Sequence, residues 1–348
     1  MVRAPRPSPH ARASIQDIAA RAGVSVTTVS RVLNDHPDVA AATRERVLHH
    51  VQALGYIGNS SARALAGGRT GLVGIVVPHL RGPYFSAIVA GASEALAEHD
   101  TRPVLYITQH EHDREVSMLG QLAHDSTDGS LFVLPAESSE ELESLGRKGY
   151  RFVVVDSPVR LSESIPQVSA THWAGASAAM EHLLSLGHRR IGAIAGPPRW
   201  GASDDRLAGY HSALVAAGLP IDPALTARGD FTVEGGYRAA VRVLSLPALP
   251  TAVFAFNDNM ALGFLRAARE RGIAVPADIS LVGFDNVEFA AHTTPPLTTV
   301  HQPLMDLGRA GADLLFRLPS GRAADAPRIQ LATRLVVRAS TAPPRDGT

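Results

Sequence analysis

The sequence of 348 residues has no cysteine, no net charge and few aromatic residues. Without cysteine the chain has no disulfide, no thiolate metal ligand and no cysteine nucleophile. No apolar run approaches the roughly 18 residues that a membrane-spanning helix needs. The remaining composition, 45% hydrophobic and 19% charged, is that of a globular protein long enough for two or three compact units.

Motifs of the common enzyme classes are also missing. There is no GxxxxGK[ST] phosphate loop and no GxSxG nucleophile elbow, and the HEH at positions 110 to 112 lacks the HExxH spacing of a zinc site. We therefore expect no catalytic residue, no metal site and no cofactor.

The charge is unevenly distributed although the total is balanced. Residues 1 to 70 hold 9 basic and 4 acidic side chains, whereas the rest holds 24 and 29. A small basic segment on a mildly acidic body fits a phosphate-binding module joined to a part that does not bind nucleic acid. Residues 1 to 13 lack the apolar segment of a secretory signal, so we predict a disordered tail on a cytoplasmic protein.

Residues 14 to 54 have the pattern of three short helices. Ser14 and Asp17 have the spacing of a capping box, and Gly23 stands where the first helix must end. Ser25 can cap a second helix, in which Val29, Val32 and Leu33 share one face. The pattern predicts a third helix from about Thr43 that buries Val47, Val51 and Leu54. Two short helices about a glycine turn are typical of a helix-turn-helix, whose second helix enters the major groove.

Beyond residue 71 the pattern changes to apolar runs of strand length that alternate with helical segments. The clearest runs are LVGIVVP, RPVLYIT, GSLFVL, RFVVVD, RIGAIA, TAVFAF and SLVGFD. This alternation predicts doubly wound parallel sheets, and at least seven strands over some 220 residues indicate two lobes. Ligands in such folds bind beyond the carboxyl ends of the strands, where this chain places aromatic, acidic and arginine side chains.

At this point the sequence resembles the lactose-repressor (LacI) family. The headpiece pattern DIA, AGVS, TVSRVLN, TRERV and LGY is present from Asp17 onward, and GHRRIG, RLAGY, GGYRAA, DISLVGFDN and PPLTTVHQP follow in the family's order as far as residue 338. The resemblance implies a small all-α helix-turn-helix headpiece and an α/β two-lobed core like that of periplasmic binding proteins.

The same resemblance implies a domain plan. After the tail of residues 1 to 13 come a DNA-binding domain (14 to 58), a hinge helix with linker (59 to 70) and an effector-binding core (71 to 340). Within the core, the N-lobe takes residues 71 to 170 and 300 to 328, and the C-lobe 171 to 299 and 329 to 340. Residues 341 to 348 are expected to form a second disordered tail, without a C-terminal coiled coil.

For DNA binding, the resemblance assigns base reading to Val26, Thr27 and Arg31, whose guanidinium fork can bind guanine O6 and N7. Ser25 caps the same helix, with Thr28, Ser30 and Asn34 nearer the phosphates. The hinge adds Asn59, Ala62 and Leu65, and Leu65 has the position of an apolar wedge that bends the duplex from the minor groove. The alternative for Leu65 is packing onto the core.

Three features depart from the family pattern. Gly58 replaces the proline that commonly precedes the hinge, which loosens the linker. Ala40 replaces a serine that commonly caps the third helix. The Arg- and Pro-rich extension ahead of the headpiece adds weak phosphate contacts or has no role.

For the effector, the resemblance places a further set of side chains around the cleft between the lobes. Carboxylates, an amide and an arginine can hold sugar hydroxyls, while aromatic faces cover the apolar faces of a pyranose. Trp200, in the polar segment PPRWGASDD, is the most informative of them. The set is Tyr84, Phe85, Asp156, Trp173, Trp200, Arg206, Phe231, Asn257 and Asp285.

The favoured interpretation is a homodimeric repressor that binds a pseudo-palindromic operator and responds to a small molecule, most simply a sugar or oligosaccharide. It would be associated with the nucleoid. A purine effector is an alternative, although purine-binding relatives carry arginine and threonine where this chain has Trp200 and Ala202. Further alternatives are control by a phosphocarrier protein, a sugar solute-binding protein, and a sugar-modifying enzyme that uses Asp156 and Asp285.

Overall fold

The computed structural model describes residues 13–33, 36–56, 70–109, 111–113, 116–118, 127–318 and 326–345. The chain divides into two compact units, Met1–Thr70 and Gly71–Thr348, named here the headpiece and the core. Among the described residues, no helix is long and apolar enough to cross a membrane. Each unit is described separately.

The described part of the headpiece has three helices, α1 (Ile15–Ala22), α2 (Val26–Leu33) and α3 (Ala41–Ala53). The predicted capping box is present: the Asp17 N–H donates to Ser14 Oγ at 3.2 Å, and the Ser14 N–H donates to Asp17 Oδ2 at 2.8 Å. Gly23 ends α1 with a φ of 65°, a left-handed conformation that glycine adopts without steric cost. The turn between α1 and α2 is therefore fixed by local chemistry.

One side of each helix supplies the headpiece core. Its fully buried members are Ile18, Ala19, Ala22, Val29, Val32 and Val47. Leu33, Val51 and Leu54, which the pattern predicted to be buried, pack against this core but stay partly exposed. With so small a core, the stability of the headpiece depends strongly on its helix caps.

The third helix begins at Ala41, two residues before the predicted start. Its N-cap, Ala40, has an extended backbone and no side chain that can accept a hydrogen bond from the first turn. Arg44 instead ties the preceding loop to the helix, because its Nη2 donates to the carbonyl of His36 at 2.6 Å.

We expect Ala40→Ser to stabilise the headpiece by about 1 kcal/mol, because a serine hydroxyl at this position accepts one of the unpaired N–H groups of the first turn. Thermal unfolding followed by circular dichroism measures the change. Ala41→Ser, one residue further on and equally exposed, is the control and should give no gain. A headpiece transition that does not rise in Ala40→Ser would show that the cap is satisfied in another way.

The core contains two six-stranded sheets. The first has the order β11-β5-β4-β3-β1-β2 and is parallel throughout; the second has the order β12-β10-β9-β8-β6-β7, with β12 antiparallel to β10. The strands are β1 (Leu72–Val77), β2 (Arg102–Ile107), β3 (Ser130–Val133), β4 (Phe152–Val155), β5 (Gln167–Ala170), β6 (Ile191–Ala195), β7 (Thr226–Arg228), β8 (Ala252–Ala255), β9 (Ser280–Asp285), β10 (Thr298–His301), β11 (Arg328–Leu331) and β12 (Arg334–Val336).

Helices cover both faces of each sheet, as the near-continuous apolar strands require. The first sheet carries α4 (Pro83–Glu98) and α10 (Leu304–Arg317) on one face and α5 (Ser139–Arg147) on the other. The second sheet packs with α6 (His172–Ser185), α7 (Gly201–Ala216), α8 (Val233–Val243) and α9 (Asp258–Glu270). The predicted two-lobed α/β architecture is confirmed.

The chain crosses between the lobes three times, near residues 171, 302 and 332. Strand β10 therefore lies in the second lobe and β11 in the first, so the predicted boundaries at 300 and 328/329 are each a few residues too early. The reason is strand pairing, since β10 pairs with β9 and β11 pairs with β5. Thr171 and Thr333 join two of the crossings, with the Thr333 N–H donating to Thr171 Oγ1 at 2.9 Å.

The segment of residues 341–345 is ordered, which corrects the prediction of a disordered tail from residue 341. It is held on the second lobe because its backbone groups find polar partners there. The Ala342 N–H donates to Ser280 Oγ at 3.0 Å, and the Ala342 carbonyl lies 2.9 Å from His188 Nε2. Arg345 adds an ion pair with Asp278.

Candidate DNA-reading helix and effector cleft

Helix α2 presents an exposed face opposite its buried valines. Val26 is 43% exposed, and Thr27 and Arg31 are also exposed. The three side chains are suited to different base edges, since a valine can contact a thymine methyl group and an arginine can bind guanine. The helix therefore has a buried face that packs on the headpiece core and an exposed face whose side chains can contact another molecule.

The other side chains predicted for α2 are partly engaged in holding the helix. Ser25 Oγ accepts the Thr28 N–H at 3.1 Å and lies 2.9 Å from Thr28 Oγ1. Thr28 and Ser30 are half-buried. The predicted contacts at Asn34, Asn59, Ala62 and Leu65, and the glycine at 58, lie outside the described residues.

In the core, predicted effector residues follow the strands with unusual backbone conformations. Asp156, Phe231 and Asp285 have φ angles of 55°, 63° and 114°. Side chains other than glycine rarely adopt positive φ, and such residues cluster at binding sites because the surrounding structure must hold them there. The positive φ angles of these three residues agree with a binding site at the ends of the strands.

Asp156 forms the wall of the cleft on the first lobe. It follows β4, is 3% exposed, and accepts a short hydrogen bond from the hydroxyl of Tyr84 in α4. Burial alone would raise the pKa of Asp156, but His172, Tyr84 and Arg206 outweigh it and hold the pKa below the usual value. The carboxylate is therefore ionised and acts as an acceptor.

Arg206, in α7, is the central cation on the second lobe and is 3% exposed. It donates a short hydrogen bond to the Phe256 carbonyl, and Nη2 lies 3.8 Å from Asp285 Oδ1. The guanidinium stacks on the Phe284 ring at 3.8 Å from its centroid. Its Nε is buried with no hydrogen-bond partner among the described residues, so it is a donor that a bound molecule can use.

Two further carboxyl groups, those of Asp285 and Asp258, lie behind this arginine. Asp285 accepts from Gln302 Nε2 at 2.6 Å. Asp258 is fully buried and accepts from Thr299 Oγ1 at 2.5 Å and from the Val287 N–H at 2.9 Å. Burial raises the pKa of Asp285 to about 7, against the opposing charge of Arg206. Burial, together with the charge of Asp285, also raises the pKa of Asp258.

We expect the contribution of Asp285 and Asp258 to the stability of the core to fall as pH rises towards 7, while histidines such as His182 and His188, whose pKa is lowered by burial, act in the opposite direction. In the unfolded chain an aspartate ionises near a pKa of about 4, so between about pH 4 and 7 the folded protein binds the additional proton and loses stability as that proton leaves. Asp285→Asn should flatten this decline, because it also removes the charge that raises the pKa of Asp258. Melting temperatures of both chains from pH 4.5 to 8 test this; parallel curves would contradict it.

Two aromatic side chains form a further surface of the cleft. Trp200 and Phe231 lie with ring centroids 5.6 Å apart, and Trp200 also packs against the core of the first lobe. Gly196 makes room for this arrangement, since a Cβ there would lie 2.2 Å from an atom of the Phe231 ring. The loop tryptophan that the sequence singled out thus occupies the contact between the lobes.

The lobes are in direct contact across the cleft. Asp156 Oδ1 of the first lobe lies 2.8 Å from His172 Nε2 of the second, and the Gly201 N–H donates to the Pro158 carbonyl at 2.7 Å. Val287 and Phe289, which follow β9, pack into the core of the first lobe. The structure thus shows the cleft closed, with its charged groups paired with one another.

Three predicted effector residues pack, lie exposed or form hydrogen bonds in ways that the sequence did not predict. Phe85 is 8% exposed and belongs to the core of the first lobe, with its ring edge-on to Tyr84. Trp173 is 50% exposed. The Asn257 amide caps α9 by accepting the Met260 N–H and donates to the Phe231 carbonyl, so its hydrogen bonds already hold backbone. In each case the residue lies at or near the start of a helix, and the position of that start decides whether the side chain is buried, exposed or used as a cap.

Sequence reasoning missed three residues of the cleft, His172, Phe284 and Gln302. His172 is the first residue of α6 and immediately precedes Trp173, to which the resemblance assigned an effector contact. Phe284 ends an apolar run, and Gln302 follows β10 in the motif HQP. The position of Gln302 directly after a strand was the available signal.

Comparison with known proteins agrees with both units. Residues 14–59 match the model for bacterial regulatory proteins of the lacI family, and residues 180–341 match the periplasmic binding protein-like domain. Among curated proteins, CelR of Thermobifida fusca is 36% identical over 337 residues, PurR of Edwardsiella ictaluri 35% over 333, and catabolite control protein A of Priestia megaterium 31% over 329. These alignments cover 94%, 95% and 94% of this chain and 98%, 97% and 99% of the relatives.

Solved structures give the same result. The lac repressor dimer bound to operator and the anti-inducer ONPF has a TM-score of 0.84 at 31% identity, and covers 95% of this chain and 100% of its own. The CelR–cellobiose complex has a TM-score of 0.72 at 35% identity, with 94% and 100% covered.

CelR and PurR are named as HTH-type transcriptional regulators rather than as enzymes. The chain matches them over nearly its whole length, in the headpiece as well as in the core. It is a DNA-binding transcriptional regulator, and it belongs to the LacI family.

Proposed function

We propose that this regulator is a homodimeric repressor that binds a pseudo-palindromic operator and is controlled by a neutral carbohydrate bound in the cleft between its lobes. The observation that carries the carbohydrate class is the buried set of Asp156, Arg206 and Asp285 beside the aromatic pair Trp200 and Phe231. Carboxylates and an arginine provide acceptors and donors for hydroxyl groups, and the flat rings provide an apolar face.

The charge of the cleft favours a neutral effector over an anionic one. Two carboxyl groups, Asp156 and Asp285, face a single arginine, and Asp258 lies behind them. A phosphate or carboxylate brought into this site would add a further negative charge to a low-dielectric environment. A sugar needs only hydrogen bonds and an apolar face.

The relatives also support a carbohydrate as the class of effector. The CelR structure is a complex with cellobiose, and CelR is 36% identical to this chain. PurR and catabolite control protein A are at 35% and 31%, so overall similarity does not separate a sugar from a purine or from a phosphocarrier protein. The separation rests on the side chains of the cleft.

On the DNA side, Val26, Thr27 and Arg31 would read bases in the major groove, with Ser25, Thr28, Ser30 and Asn34 near the phosphates. Asn59, Ala62 and Leu65 of the hinge would contact the minor groove at the centre of the operator. A two-fold axis between protomers would match the symmetry of the operator. Binding to chromosomal DNA would associate the protein with the nucleoid.

Thermal-shift measurements with cellobiose and a panel of mono- and oligosaccharides test the carbohydrate proposal. A ligand that binds only the folded chain raises the unfolding free energy, by about 2.7 kcal/mol at a hundredfold excess over Kd. We expect at least one neutral sugar to raise the melting temperature of the core. Adenine, guanine and their nucleosides form the competing arm; a shift with these and with no sugar would replace the proposal by a purine effector.

A further inference from the structure

His172 occupies the point where the chain first crosses between the lobes. Strand β5 of the first lobe ends at Ala170, and α6 of the second lobe begins at His172. The residue between them, Thr171, is hydrogen-bonded to Thr333 of a second crossing. His172 is 4% exposed, so a buried polar ring lies directly beside the segment about which the lobes would move.

Both ring nitrogens of His172 have partners, and the partners differ in chemistry. Nε2 lies 2.8 Å from Asp156 Oδ1, and Nδ1 lies 3.2 Å from Arg206 Nη2. An ionised carboxylate only accepts hydrogen bonds, whereas a guanidinium only donates them. Nε2 must therefore carry the proton and Nδ1 must accept, which defines one tautomer of the neutral ring.

We propose that His172, as a neutral ring protonated on Nε2, is a positioning residue that orients Asp156 of the first lobe and Arg206 of the second for the effector and joins the two lobes when the cleft closes. The effector part of this proposal rests on the proposed function. The bridging part rests on the two hydrogen bonds alone.

The charged and polar groups that face the ring come from both lobes. Asp156 faces it from the end of β4, with Tyr84 of α4 behind, and Arg206 faces it from α7, with Asp285 of β9 behind. The Phe284 ring packs beside it at 6.1 Å between centroids. A second proton, on Nδ1, would point an N–H at the guanidinium, so the contact with Arg206 would be lost.

Nitrogen-15 NMR of the full chain with labelled histidine rings tests the tautomer directly. The chain has 15 histidines, and the signal that disappears in His172→Gln identifies this one. Near neutral pH we expect Nε2 to be protonated and Nδ1 to be an unprotonated acceptor. A ring protonated on Nδ1, alone or together with Nε2, would overturn the proposal.

Melting temperatures without any sugar test the bridge. His172→Gln keeps one donor and one acceptor, whereas His172→Leu has neither, so we expect a small loss in the first and a loss of several degrees in the second. Asp156→Asn should cost less in the His172→Leu chain than in the unchanged chain, because the shared hydrogen bond is already gone. His292→Gln, an exposed histidine of the same lobe, is the matched control.

Equal losses in the glutamine and leucine variants, or fully additive losses with Asp156→Asn, would show that His172 only fills space. Neither measurement needs an effector. The expected tautomer and non-additivity in a chain that no sugar stabilises would therefore reject the carbohydrate effector and leave the bridge standing. With a sugar that does bind, His172→Leu should reduce its affinity at least tenfold while His172→Gln retains most of it.

Discussion

Arg206→Leu is expected to leave operator binding intact while removing most of the response to effector. The guanidinium is buried, contacts both the Phe256 carbonyl and His172, and leaves its Nε available to a ligand. Losing a hydrogen bond between a charged group and a ligand costs about 1.5 to 3 kcal/mol, which corresponds to a loss of effector affinity of roughly tenfold to 150-fold.

Fluorescence anisotropy of labelled operator, titrated with the sugar that stabilises the core, measures this loss. Arg206→Lys is the matched variant, because it keeps the charge but loses the planar fork and its stacking on Phe284; we expect it to respond only at higher sugar concentrations. Operator affinity of all three chains serves as the control for folding. A full response in Arg206→Leu would show that the effector binds elsewhere.

Arg31→Ala is expected to weaken operator binding without altering the core. A bidentate arginine–guanine contact contributes about 1 to 3 kcal/mol of discrimination; in a dimer both half-sites lose it, so the total is about 2 to 6 kcal/mol. Arg31 is exposed on α2, so its side chain can reach a base. The Arg31→Ala substitution does not change the buried side chains of Val29 and Val32.

The decisive readout is specificity rather than affinity alone. Losing a base contact should relax the preference at one position in each half-site, whereas losing a phosphate contact weakens all sequences alike. Arg46→Ala, which removes an exposed arginine from α3, is the matched control and should leave the ranking of operator variants unchanged. Unaltered ranking in Arg31→Ala as well would remove Arg31 from base reading.

Much of the fold could be predicted because its strongest signals are local. The capping box at Ser14 and the left-handed Gly23 depend on neighbouring residues only, and both are present as expected. All seven apolar runs correspond to strands, and except for the edge strand β2, which is largely exposed, these strands are buried on both faces. Buried parallel strands leave a clear trace in a sequence.

The remaining strands could not be predicted in the same way. Strands β7 and β12 have three residues each, and β11 contains Arg328 and Gln330. Their place in the sheets depends on pairing with distant strands, as β11 pairs with β5 about 160 residues earlier. The lobe boundaries were displaced for the same reason.

The site shows a similar division between local and long-range information. Strand ends predicted Asp156, Asp285 and Trp200 for the cleft, because the carboxyl ends of parallel strands share one edge of a sheet. Which of two adjacent residues faces the cleft, His172 or Trp173, depends on the residue at which α6 begins. That start is set by the crossing between the lobes, which no local pattern reveals.

The network also explains how a small ligand could change the arrangement of the two lobes. Asp156 and His172 belong to different lobes, and their hydrogen bond lies next to the pair Thr171 and Thr333 at two crossings. An effector that replaces these contacts with its own shifts the equilibrium between the arrangements of the two lobes. The size of the shift is set by the difference between the effector's affinities for those arrangements. A coupling of about 1 to 3 kcal/mol is typical of allosteric proteins.

The central claim, that this chain reads a symmetric DNA sequence through α2, is tested most directly by selection of bound duplexes from random-sequence DNA with the full-length protein. Sequencing of the enriched pool should give two inverted half-sites with a fixed spacing, and the same selection with Arg31→Ala should lose preference at one position in each half-site. A pool with no enriched sequence, or with a single unpaired site, would contradict the account.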